Sequence, residues 1–468
     1  MTYNHILLYF GLLGCLLMPP GWLRGQDTTR LTLEESIVYA LEHNRNIQNA
    51  RFDQYIADQR VRETIASGYP QISGSADMQY FVALPTTILP GDFNPVQDPV
   101  TGEIRPGDPL EVKFGFPWQS TAGVNVNQLL FDGTFFIGLK AARTFVDLSR
   151  LAADRTEEET ILAVTKAYYQ SLIAKEQQQL VQANIARIRR LYSETQALYE
   201  AGFAEKIDAD RLHINLTNLE LEDQKIRRYA DMSLDLLKFQ MGMPIATAIV
   251  LDATMQDLTE APNMMLSFDG FDLRMRTEYQ LLQTQEQLEK YNTQRIRAGY
   301  LPSLYAFSSF QVNAQRDSFD FFSADQRWFP ISVVGLQLSI PIFDGFRKQA
   351  QMAQSQLELR KIQNQYALLE SSIQLELKTA HLNLLNAYNS LEANRSNVAL
   401  AREVAEVSQI KYKEGVGSSL EVNDAETQLK LSETNYLNSL FEYLMARADL
   451  SKAKGEFAHY SAAPGSDE

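Results

Sequence analysis

The run QLLFDG at residues 128–133 returns as IPIFDG at residues 340–345. A strand-like apolar stretch closed twice by Phe-Asp-Gly marks an internal repeat, and a repeat organises a chain before any single motif does. Working outward, residues 139–201 and 346–414 contain neither Pro nor Gly. Each run ends in a matched turn, LYEAGFAEKIDAD at 198–210 and KYKEGVGSSLEVNDAE at 411–426, which aligns Tyr199 with Tyr412 and Gly202 with Gly415. Upstream, ASGYPQISGSADMQY at 66–80 echoes RAGYLPSLYAFSSF at 297–310. The chain is therefore two copies of one module, roughly residues 31–242 and 270–455.

The 468 residues carry a formal net charge of −15, which gives no hint of nucleic-acid binding, since that wants a basic face. The only cysteine, Cys15, lies in the apolar N-terminal run ILLYFGLLGCLLMPPGWL. That run is too short to span a membrane as a helix and reads as a secretory signal, with cleavage after Gly25. LLGC at 12–15 also fits a lipoprotein cleavage site, against which stand the apolar residues that follow it and the short segment that precedes it. With the signal removed, an exported chain without disulfides must hold together by burial and helix packing.

In the second Gly- and Pro-free run, Ile362, Tyr366, Leu369, Ile373, Leu377, Ala380, Leu384, Ala387 and Leu391 recur at gaps of three and four. This is one stripe of an almost straight helix. At about 1.5 Å per residue it reaches roughly 100 Å. Each long helix ends at a Gly-containing turn, and a second helix returns over about 207–241 and 419–453, making helical hairpins. A plain coiled coil would explain the stripes. The Gln-, Asn-, Ser- and Ala-rich flanks fit better a wall of helices side by side, wet on one side.

Before each long helix the pattern changes to period two. Ile72, Ala76, Met78 and Tyr80 alternate with Gln71, Ser73, Ser75, Asp77 and Gln79; Leu304, Ala306, Phe310 and Val312 oppose Ser303, Tyr305, Ser309 and Gln311. Val124 and Val126 alternate with Asn125 and Asn127, and Leu336, Leu338 and Ile340 with Gly335, Gln337 and Ser339. Strands of about ten residues suit a tilted membrane crossing. Trp118 and Trp328 stand just before the second strand of each pair, where an interfacial aromatic belt would place them. Residues 85–117 hold seven of the 16 prolines, as a long extracellular loop would. Four strands cannot close a barrel, and open edges are not tolerated in lipid. Strands must then be pooled among copies, and three chains supply 12. Asp132 and Asp344 read as helix N-caps at the joints Phe131-Asp132-Gly133 and Phe343-Asp344-Gly345, with the glycine allowing the turn.

With the duplicated halves, strand pairs, the PIFDG joint, the long helices and the Y-x-x-G…D tip turns in order, the chain resembles the TolC family of outer-membrane efflux proteins over nearly the whole mature sequence. The resemblance implies a homotrimer of α plus transmembrane β class. Each chain gives two tandem repeats, each a β-hairpin plus long helical hairpins, to one 12-stranded barrel in outer-membrane lipid above a periplasmic α-helical tunnel. It divides the chain into a signal peptide (1–25), a first efflux repeat (26–242), an equatorial linker (243–269), a second repeat (270–455) and a disordered tail (456–468). It implies a passive exit duct of a tripartite pump for small molecules, working with a periplasmic adaptor (membrane fusion) protein and, through it, an inner-membrane transporter. Type I protein secretion is the alternative. By the same resemblance Gly202, Phe203, Ala204, Gly415, Val416 and Gly417 form adaptor-docking tips, and Asp208, Glu421 and Asp424 line the periplasmic aperture. A carboxylate ring attracts cations and repels anions, although an acidic residue in a first helical turn is also favoured by the helix dipole alone. Where the best-known member of the family has an arginine tethering the closed tip, the aligned position here is Gly417.

An enzyme finds no support. His5, His43, His213, His381 and His459 are scattered without metal-ligand spacing, and no nucleophile elbow or phosphate loop is present. No cofactor or metal is expected. A periplasmic structural coiled coil explains neither the alternating strands nor the tryptophans, and a stand-alone porin needs more strands per chain.

Overall fold

The structure is a computed structural model and describes residues 29–252 and 272–457. The signal segment with Cys15, most of the linker (253–269) and the tail from 458 lie outside the described residues. Two compact units divide the chain: residues to 48, 157–270 and from 376 form one, and 49–156 with 271–375 form the other.

The second unit is built on a four-stranded antiparallel sheet of β2 (Gln71–Tyr80), β7 (Trp118–Phe131), β9 (Ser303–Arg316) and β10 (Phe329–Ser339), in the order β10-β9-β7-β2. The outer strands have no further partner among the described residues, so both edges are open. Residues opposite one another in a ladder share a face. The register Ile72↔Val126, Val124↔Phe310 and Leu336↔Ala306 therefore gathers apolar side chains on one face, while Ser73↔Asn125 and Asn125↔Ser309 gather polar ones on the other. The sorting is cleanest in β2 and β7; on the polar side β9 adds Tyr305 and Phe307, and β10 adds Ile331 and Val333. β7 and β9 are 14 residues each, longer than the ten the alternation suggests. The added length is hidden in the sequence by Gln128 and Arg316, polar residues that fall on the apolar face. On the polar face Phe307 covers Gly335, where an added Cβ would lie 2.6 Å from the ring. At the end of the sheet away from the helices, the Trp118 ring lies tilted 4.7 Å from Tyr80 and meets Phe319 at 5.1 Å, and Phe321 lies 6.0 Å from Trp328.

Strands pass into helices at two joints that differ. Asp132 accepts from Thr134 N at 2.7 Å, and α3 (Gly133–Glu200) begins at once. Gly133 is helical; its lack of a side chain matters because a Cβ would lie 3.1 Å from Leu301. At the second joint Gly345 (φ 66°) and Phe346 (φ 63°) are left-handed, and α6 (Arg347–Lys413) starts later. Asp344 there accepts from Lys348 N at 3.2 Å and pairs with its Nζ at the same distance. Two helices of 22 residues precede the strand pairs: α2 (Arg45–Ala66) and α5 (Thr277–Ala298). In the sheet unit α5 reaches α6 through Thr293–Ser355 at 2.6 Å and Tyr366 Oη–Glu286 at 3.4 Å.

In the first unit, the helices returning from the two long ones are α4 (Lys206–Met241) and α7 (Ser419–Ala453). A short parallel sheet joins β1 (Thr29–Leu31) to β8 (Ile249–Leu251), which lies in the described part of the predicted linker, residues 243–252. α1 (Leu33–His43) starts with a reciprocal capping box between Thr32 and Glu35. The buried Tyr168 hydroxyl donates to Leu31 O at 3.2 Å, locking α3 to β1. The predicted stripe of α6 is buried from Ile373 to Leu391. Phe457, two residues into the predicted tail, is also buried. No described helix is long and apolar enough to cross a membrane.

Candidate functional site

The helix turns are made by one device used four times. At the end of α3, Phe203 N donates to Leu198 O and Gly202 N to Tyr199 O, with Gly202 at φ 81°. At the end of α6, Val416 N donates to Lys411 O and Gly415 N to Tyr412 O, with Gly415 at φ 74°. This is the Schellman stop, in which a left-handed residue lets two orphan carbonyls be satisfied. α4 and α7 end the same way at Gly242 and Gly455, again in matched positions of the repeats.

Past each stop the tip points side chains into solvent. Phe203 is 83% exposed and Val416 79%. Ala204 is half-buried, and Gly417 donates to Lys411 O at 3.1 Å. A Cβ on Gly417 would meet Lys411 Cβ at 3.0 Å, so a tethering arginine could not occupy that place without moving the turn. Below the turns, Leu191, Leu212 and Val422 form a small core flanked by Tyr192 and Tyr412, which joins the two hairpins.

The three acidic residues do not share one environment. Asp208 is partly buried: it accepts a short hydrogen bond from Ser419 Oγ and faces Arg211 at 3.9 Å. Glu421 and Asp424 are exposed on α7, and Glu421 N donates to the cap residue Ser418 at 3.2 Å. Asp208 begins a ladder between α4 and α7 that continues at seven-residue steps along α4: Asn215 donates to Asn423 at 3.2 Å, and Glu222 pairs with Lys430.

Sequence reading missed the polar cluster higher up. Glu426 and Glu433 of α7 are 4% and 5% exposed. Arg187 of α3 approaches both at 3.4 Å; Arg402 of α6 meets Glu433 at 3.4 Å, and Gln409 donates to Glu426. A signal existed: both glutamates fall among the apolar positions Val422, Leu429 and Leu437, where a carboxylate can sit only if paired. Among the described residues no group of three or more His, Cys, Asp or Glu is placed to hold a metal ion.

Comparison with known proteins gives this geometry a setting. The profile of the family described as "Outer membrane efflux protein" matches residues 37–223 and 280–456. Outer membrane protein TolC of Vibrio cholerae is 19% identical over 72% of this chain and 76% of its own length. Alkaline protease secretion protein AprF of Pseudomonas aeruginosa is 22% identical over 70% of this chain and 68% of its own. Among solved structures, the transmembrane channel protein CusC superposes with a TM-score of 0.69 at 17% identity, covering 94% of this chain and 95% of that one.

Proposed function

Because the chain belongs to the outer membrane efflux protein family, we propose that it is the passive exit duct of a tripartite small-molecule pump. It resides in the outer membrane of a Gram-negative cell, with a periplasmic part. The observation that carries the reading is the open four-stranded sheet with one polar and one apolar face. Unpaired edges cannot face lipid. Three chains joined β2 to β10 close a 12-stranded barrel with the polar face inward, and the bundled helices continue its lumen as a tunnel. The aromatic cluster around Trp118 and Trp328 then lies at the outer membrane interface.

In this reading the exposed tips at Phe203 and Val416 are what a periplasmic adaptor grips, and an inner-membrane transporter supplies the energy through it. Glu421 and Asp424 line the aperture; Asp208 serves it from a bonded position. The duct does no chemistry, so its partners choose the cargo. The match to AprF supports protein secretion as the second reading. The test is Val416→Cys with crosslinking in living cells and mass spectrometry of the product. Capture of an adaptor supports the duct, and the transporter found with that adaptor separates efflux from secretion. Self-crosslinks alone, at full surface expression, would overturn the tripartite assignment.

A further inference from the structure

Between β2 and β7 the chain leaves the sheet as a built arm rather than a slack loop. Phe81 N donates to Pro117 O at 2.8 Å, and β3 (Thr86–Leu89) pairs with β6 (Leu110–Lys113). Next Gly107 N donates to Gly91 O at 3.0 Å, and the strands approach so closely that a Cβ on Gly91 would lie 1.9 Å from Gly107 O. Beyond this, β4 (Val96–Gln97) pairs with β5 (Ile104–Arg105). Their turn is held by Asp98, whose carboxylate accepts from Val100 N at 2.8 Å and Thr101 N at 3.2 Å, and by Gly102 at φ 71°.

This arm has no core. No residue from 81 to 117 is buried, and Val82, Ile88, Phe93, Val96, Val100 and Ile104 are all exposed. A two-stranded ribbon is marginal by itself, and contiguous exposed apolar surface marks an interface.

Its position says what covers it. The arm grows from β2, one open edge of the sheet. The other open edge, β10, is preceded by residues 317–328, where Phe322 is 86% exposed and Phe319 also faces solvent. A copy that lays its β10 along β2 brings its own 317–328 segment against the root of the arm. Within one chain that segment already flanks the arm's other side, through Phe319 on Trp118 at 5.1 Å. We propose that the arm, residues 81–117, is a clasp between copies: its apolar side chains are covered by the 317–328 segment of the neighbouring chain, with Phe322 as the inserted group. The proposal rests on the strand-pooling trimer described above.

The test uses the full chain in its native membrane. Val82→Cys, Ile88→Cys and Phe93→Cys are each combined with Phe322→Cys and treated with a short bismaleimide. Clasping gives covalent dimers and trimers on denaturing gels for at least one pair, and none for any single substitution. A parallel variant, Val82→Ser with Ile88→Ser and Phe93→Ser, should lose the resistance of the arm to added protease while still assembling. A native trimer that yields only monomer bands overturns the clasp and leaves the trimer standing. Crosslinks to a different outer-membrane protein overturn it in favour of an outside partner. A monomer by native mass overturns both.

Discussion

Asp208 and Ser419 belong to different repeats, yet their side chains are hydrogen-bonded at the tip, one turn below the two exposed loops. The turn of the first hairpin is thereby tied to the start of α7. Replacing Asp208 with Ala should loosen the tip and lower thermal stability in detergent by about 1 kcal/mol, the net worth of one such bond. Ser419→Ala should do nearly the same, and the double variant no more than either. Additive losses would show that the two residues act independently.

Glu421 and Asp424 have no such tie, and their carboxylates are exposed. Replacing both with Ala should lower cation selectivity in planar bilayers while leaving the melting temperature within experimental error. Unchanged selectivity would remove them from the aperture.

The stop glycines give a third expectation. Gly202→Ala and Gly415→Ala force a side chain into a left-handed position, at a cost of roughly 1–2 kcal/mol each. Gly242→Ala should cost more, because the added Cβ would also lie 2.5 Å from His43 O. Calorimetry that ranks Gly242→Ala below the two tip variants would contradict this.

The cluster of Arg187, Arg402, Glu426 and Glu433 should respond asymmetrically. Glu433→Ala leaves two guanidinium groups without their shared partner. Because both are partly hydrated, the loss should be about 1–3 kcal/mol, below the full cost of breaking a buried pair. Combining it with Arg187→Met should deepen the loss, because the buried Glu426 then also loses its cation, and chemical denaturation in detergent would detect this.

Tyr168 supplies a pH dependence. Burial, with smaller contributions from Asp252, Tyr169 and Glu35, pushes its phenol up to about 12. An unfolded tyrosine ionises near about 10. The neutral hydroxyl therefore contributes its full stability below about pH 10 and loses it as the pH climbs toward 12. Tyr168→Phe should be less stable at neutral pH by about 1 kcal/mol, for want of the bond to Leu31 O. The gap from the native chain should shrink across the alkaline range; a constant gap would refute the assignment.

How much of this was legible depended on the kind of signal. The long helices and period-two strands follow from residue spacing, and the returning helices were placed within a residue of where they lie. The start of α3 was not: absence of glycine put it after Gly138, whereas Asp132 caps it and both glycines are helical. α1 went unread although Thr32 and Glu35 have capping-box spacing. The partner of Asp208 could not be found from sequence, because Ser419 lies in the other repeat and only the packing of α4 on α7 brings them together. The unlike geometry of the two joints was equally hidden, since Asp132-Gly133 and Asp344-Gly345 read alike and the difference rests on Phe346.

The open edges of the sheet also have a genetic consequence. If every barrel needs three sound copies of both edges, a chain able to join by β10 but defective at β2 spoils any assembly it enters. With equal amounts of sound and defective chains, only about one trimer in eight would be free of the defect. Such an allele should be dominant, silencing most of the export capacity of a cell that still carries an intact gene.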